Sequence, residues 1–124
     1  MSIERRQAKR RDVLEKFSFY ICIPKLGYMR HNVQDISELG IGFLIDTLGE
    51  FKLASGETSE LHFYLNQSLY LPLKIQVVRL QEKDAIQEIG AVFLDRHTSQ
   101  YQTFLTLVKF VDQVTEFGEL LEQP

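Results

Sequence analysis

Six short runs of apolar, β-branched and aromatic residues, each cut off by turn-forming residues, precede one segment of helical period. That order constrains the fold more than any other feature of the chain. Phe17-Ser18-Phe19-Tyr20-Ile21-Cys22-Ile23 ends at Pro24 and has the composition of a half-buried strand. Pro24-Lys25-Leu26-Gly27 reads as a turn into a second strand from Tyr28 to Asp35. Ser37-Glu38-Leu39-Gly40 turns into a third strand, Ile41-Gly42-Phe43-Leu44-Ile45, where glycine marks a bulge or a close backbone contact. Residues 48–59 read as loop and Glu60 to Leu65 as a fourth strand. Leu73, Ile75 and Val77 recur at period two in a fifth strand from Leu71 to Leu80. Gln81 to Asp84 is then a polar hairpin loop, and Ile86 to Leu94 the sixth strand.

The period then changes. Tyr101, Phe104, Leu105, Val108 and Val111 fall on one face of a helix that Asp112 closes off, and Ser99 with Gln102 has the spacing of a capping box. The helix is expected to fade by Gly118, leaving residues 118–124 as a polar tail. Six strands at turn spacings of about 8–15 residues define an all-β fold. The expectation is a six-stranded antiparallel barrel with a C-terminal amphipathic α-helix packed on it.

At 124 residues the chain makes one domain with a real core, and 44% apolar with 25% charged residues excludes the disordered and fibrous classes. The longest apolar run, Leu39 to Ile45, is far below the roughly 18 residues that span a bilayer. No secretory signal is expected, because the apolar stretch after the basic start stops at Pro24-Lys25 without a small-residue cleavage site. A single cysteine, Cys22, excludes an internal disulfide framework and fits a reducing compartment, so the expected location is the cytoplasm.

Charge is split along the chain. Residues 1–11 hold Arg5, Arg6, Lys9, Arg10 and Arg11 against Glu4, a balance of +4, whereas residues 12–124 carry 9 basic and 16 acidic groups, a balance of −7. A basic arm over residues 1–16, expected to be flexible, on an acidic body over 17–117 points to a compact anion. Long nucleic acid is disfavoured, since it needs a wide basic face. RNA held by the arm on an OB-like barrel, with Phe17, Phe19 and Tyr20 for stacking, is the weakest reading for the same reason.

Catalytic constellations are lacking. His31, His62 and His97 lie on separate elements without metal-ligand spacing, so no metal site is expected. Cys22 sits in mid-strand, where a lone cysteine is a small core residue. No nucleophile elbow, P-loop or dinucleotide fingerprint is present, and Gly40-Ile41-Gly42 lacks the third glycine and the helix that a phosphate cradle requires. The chain is expected to bind rather than catalyse, with no cofactor.

Two short motifs complement each other chemically. The arm Glu4-Arg5-Arg6-Gln7-Ala8-Lys9-Arg10-Arg11 contains Arg-x-x-x-Arg at Arg6 and Arg10, and Asp35-Ile36-Ser37-Glu38-Leu39-Gly40 forms Asp-x-Ser-x-x-Gly. Arginine forks bind phosphate oxygens and the O6/N7 edge of guanine. A carboxylate accepts from the N1–H and N2 amino group that guanine presents together. Ser37 adds a hydroxyl, and Gly40 lets backbone turn or approach a ring.

These motifs, with the strand FSFYICI, the run DISELGIGF, the paired strands around LKIQVVRL and IQEIGAVFLD, and the terminal helix, resemble the PilZ domain, the bacterial receptor module for cyclic di-GMP. The resemblance implies a PilZ-like barrel and a ligand site in which Arg6 and Arg10 grip phosphates and guanine edges. It implies that Asp35, Ser37 and Gly40 recognise a guanine base. Arg5, just before the first motif arginine, is implied to favour an intercalated pair of ligands over one.

The implied function is a non-catalytic receptor whose arm closes over the ligand and changes a surface read by an effector protein, in control of motility, secretion or surface behaviour. Ordering the arm costs about 2–5 kcal/mol. The alternative is an adaptor of the same fold that binds protein without ligand. The oligomeric state is left open between a monomer and a weak dimer.

Overall fold

In the computed structural model, residues 16–27, 29–46, 52–66 and 69–122 are described, the last five of them by backbone alone. Apart from Lys16, the arm over residues 1–16 lies outside the described residues, and with it Arg5, Arg6 and Arg10.

The strands are β1 (Phe19–Cys22), β2 (His31–Ile36), β3 (Gly40–Asp46), β4 (Thr58–Leu65), β5 (Leu69–Lys83) and β6 (Ile86–Leu94). All pair antiparallel in the order β1-β2-β3-β6-β5-β4, and β4 returns to β1 to close the barrel. One helix follows, α1 (Ser99–Glu122). This is the six-stranded antiparallel barrel with a C-terminal helix read from the sequence.

Alternation drives closure. On β3, Ile41, Phe43 and Ile45 point inward, and on β6 Ile89, Ala91 and Phe93 do, while the residues between them face out. The helix supplies the plug. Phe104 is wholly buried, with its ring 5.1 Å from Phe63 and 4.7 Å from Phe93, both near edge-to-face. Tyr101, Val108, Val111 and Thr115 extend the same buried stripe. Phe19 also belongs to the core, and Tyr20 stacks on Tyr64 at 4.9 Å beneath the Arg30 guanidinium, so neither forms an open stacking surface.

Several boundaries differ from the sequence reading: β1 is shorter, at Phe19–Cys22, and β4 and β5 each start two residues earlier, at Thr58 and Leu69. β2 begins at His31 rather than near Tyr28, since its pairing with β1 extends only to Ile21↔His31. β5 continues through the polar residues 81–83, and Asp84-Ala85 forms the turn with φ of 52° and 63°, as tight hairpins require. That prong projects beyond the core, so both its faces are wet and its polarity imitates a loop. The helix is capped by Thr98, whose Oγ1 accepts the Tyr101 N–H at 3.1 Å, rather than by Ser99. α1 also runs on through Gly118 to Glu122. One glycine costs a helix only about 1 kcal/mol, and Glu119-Leu120-Leu121-Glu122 are strong helix formers.

Candidate functional site

The hairpin joining β2 to β3 carries Asp35, Ser37 and Gly40. Strict alternation would turn Asp35 inward, because His31 and Val33 already face the core. A β-bulge between Val33 and Asp35 resets the phase, leaving Asp35 half-buried at the surface and Ile36 1% exposed in the core. Ser37 then closes the turn. Its Oγ accepts the Gly40 N–H at 3.1 Å, and its own N–H donates to the Gly40 carbonyl at 2.9 Å.

Gly40 is fixed by packing. A Cβ there would lie 2.4 Å from the Ala91 carbonyl oxygen on β6, closer than any side chain tolerates. The hairpin is also pinned to its surroundings. Phe93 N–H donates to the Leu39 carbonyl at 3.1 Å, and the Tyr101 hydroxyl donates to the Glu38 carbonyl.

A shallow depression opens beside this hairpin on the outer barrel wall, lined by Asp35, Ser37, Gly40, Gly42, Arg79 and Gly90 among others. Three of the residues singled out from the sequence, Asp35, Ser37 and Gly40, therefore meet at one surface. Arg79 and Gly90 were missed by sequence reasoning. Arg79 reaches the outer face through a second bulge, between Val77 and Arg79 on β5, which places Val78 and Arg79 outward in succession. Nothing in the run Val77-Val78-Arg79-Leu80 announces such a shift.

The other ionisable candidates stand apart. Cys22 is buried, and burial pushes its thiol up against a smaller opposing pull from Arg30. His31 is buried as well, and burial lowers its pKa from the usual 6.5. Among the described residues no group of three or more His, Cys, Asp or Glu could hold a metal ion, and no helix is long and apolar enough to cross a membrane.

A closed six-stranded antiparallel barrel with a terminal helix, bearing an acid-serine-glycine hairpin on its wall, defines the class of fold. Comparison with known proteins makes this specific. Residues 4–110 match the family model of the PilZ domain, and the chain belongs to that family. Among solved structures it is similar to YcgR of Escherichia coli in complex with c-di-GMP. The TM-score is 0.64 at 15% sequence identity, covering 86% of this chain and 46% of that one. The chain thus spans less than half the length of that relative, and the likeness is one of fold. No curated protein matches.

Proposed function

We propose that the chain is a cyclic di-GMP receptor that does no chemistry of its own. Arg6 and Arg10 of the N-terminal arm grip the ligand's phosphates and guanine edges, with Arg5 favouring an intercalated pair. Asp35 and Ser37 present a carboxylate and a hydroxyl to a guanine, and Gly40 completes the site by holding the hairpin close against β6. The observation that carries this reading is the bulge at Asp35. It turns the carboxylate out of the core onto the wall beside Ser37, inside a region that matches the PilZ domain and includes the arm. The solved YcgR complex holds c-di-GMP, which supports the same ligand here.

The energetics are sufficient. Micromolar affinity needs about −8 kcal/mol. Several charge-assisted hydrogen bonds at roughly 1.5–3 kcal/mol each, with stacking, exceed the cost of closing the arm. The closed arm then offers an effector protein a different charge pattern. Isothermal titration of cyclic di-GMP against GTP and cyclic di-AMP tests the reading and gives stoichiometry. Arg6→Ala, Arg10→Ala and Asp35→Ala should each abolish binding with circular dichroism unchanged, and retained affinity in all three removes the assigned site.

A further inference from the structure

Helix α1 carries two apolar stripes, and the barrel covers only one of them. Tyr101, Phe104, Val108, Val111 and Thr115 are buried. About a third of a turn round the helix, Phe110, Val114 and Phe117 recur at spacings of four and three on a second face. There Phe110 is 42% exposed and Phe117 61%, with Val114 half-buried between them. Large apolar rings gathered on one face mark an interaction surface.

We propose that the occupant of this face is the chain's own N-terminal arm, which lies along it when no ligand is bound. The chain enters the described structure beside the face. The ring of Phe17 meets Phe110 edge-on at 5.4 Å, so residues 1–15 depart from the first exposed ring of the stripe. Val13 and Leu14 stand just before that point, and Phe110 to Phe117 is about 10 Å along the helix, a span of three or four extended residues. Charge sets the direction. Residues 99–108 hold no charged side chain, whereas 109–122 hold Lys109 against Asp112, Glu116, Glu119 and Glu122, a balance of −3. The helix dipole is negative at the same end. The arm brings +4 over residues 1–11, with Arg10 and Arg11 close to the apolar pair. A second copy fits less well. The two exposed rings offer roughly 200 Å², so two copies face to face bury about 400 Å², well below the roughly 1,200 Å² of a stable complex. A tethered segment needs far less contact, since its effective concentration is in the millimolar range.

The arm that covers this face also carries Arg6 and Arg10. On the cyclic di-GMP reading, on which this second step rests, the ligand's phosphates and the acidic end of α1 compete for one set of arginines. Ligand uptake then draws the arm off the helix and bares Phe110, Val114 and Phe117. An effector protein meets an apolar surface that the ligand-free chain hides, in addition to an altered charge pattern.

The test uses the full chain. Without ligand, amide exchange over residues 10–15 should quicken about tenfold in Phe117→Ser and about threefold in Glu116→Arg. Melting midpoints should stay near wild type, because both side chains are exposed. Adding Arg11→Glu to Glu116→Arg should restore slow exchange, as a pairing between arm and helix requires. Equal exchange in all four chains removes the resting contact. Light scattering that shows a dimer lost in Phe117→Ser gives the face to a second copy instead. Calorimetry and an apolar fluorescent dye then separate the two steps. Cyclic di-GMP should raise dye fluorescence in wild type but not in the double variant Phe110→Ser, Phe117→Ser. Ligand uptake without a dye response overturns the release and spares the receptor reading. No uptake by wild type overturns that reading and the release with it, while the exchange result still decides the resting contact.

Discussion

The hydroxyl of Tyr101, in the first turn of α1, donates its hydrogen to the backbone carbonyl of Glu38, in the two-residue loop between Ser37 and Gly40. A helix whose other contacts serve the barrel core therefore also fixes the position of the candidate binding hairpin. The same Tyr101 ring packs 5.7 Å from Phe93, whose N–H holds the neighbouring Leu39 carbonyl. Core, helix and hairpin are connected through two adjacent backbone carbonyls.

Replacing Tyr101 by Phe keeps the ring and removes the donor. The variant should lose about 1 kcal/mol, with a melting midpoint lower by roughly 3–6 °C. Amide exchange at Gly40 should quicken, because Ser37 and Gly40 lose their support from below. Unchanged exchange there would show that the hairpin holds itself.

Gly40→Ala should be costly for a reason unrelated to ligand. Its new Cβ would collide with the Ala91 carbonyl oxygen, which belongs to the β3–β6 ladder and cannot rotate away. Overpacking of this kind costs about 1–3 kcal/mol. Urea denaturation of the ligand-free chain measures it, and a midpoint equal to wild type contradicts the contact.

Stability should fall as pH drops below the ordinary histidine range. His31 is 6% exposed and its Nε2 has no hydrogen-bond partner among the described residues. Burial lowers the folded-state pKa beneath the usual 6.5, so the unfolded chain takes up a proton that the folded chain refuses. The contribution is complete above the unfolded value and is lost as pH falls toward the folded one. Melting curves between about pH 7.5 and about pH 5.5 should show the decline, and His31→Leu should flatten it.

Phe104→Ala should remove about 3–5 kcal/mol, the range for a fully buried aromatic that leaves a cavity. Because Phe104 joins α1 to Phe63 and Phe93, helicity should fall together with the barrel transition rather than after it. Two separated transitions in circular dichroism would show the helix folding independently of the barrel.

Strand identity was legible because period-two alternation survives in β3, in β6 and in β5 from Leu71 to Val77, where one face is buried. The helix was legible for the same reason at period 3.6. What escaped was set by pairing between distant segments. The bulges at Val33/Asp35 and Val77/Arg79 exist only once β2 meets β3 and β5 meets β6, so no local pattern marks them. They decide which way Asp35 and Arg79 face. The sequence therefore supplied the acid, serine and glycine of the candidate site but not Arg79, which lines the same depression. The arm residues Arg5, Arg6 and Arg10 lie outside the described residues, and their part in the site remains a proposal.

The tight approach of β6 to Gly40 carries a consequence for how such domains diverge. Whatever the aspartate and the serine of the hairpin bind, barrel closure forbids a methyl group at the glycine. The glycine alone is therefore silent about signalling. On the function proposed above, the letter to compare in a distant cousin of this chain is instead the acid two residues before the serine.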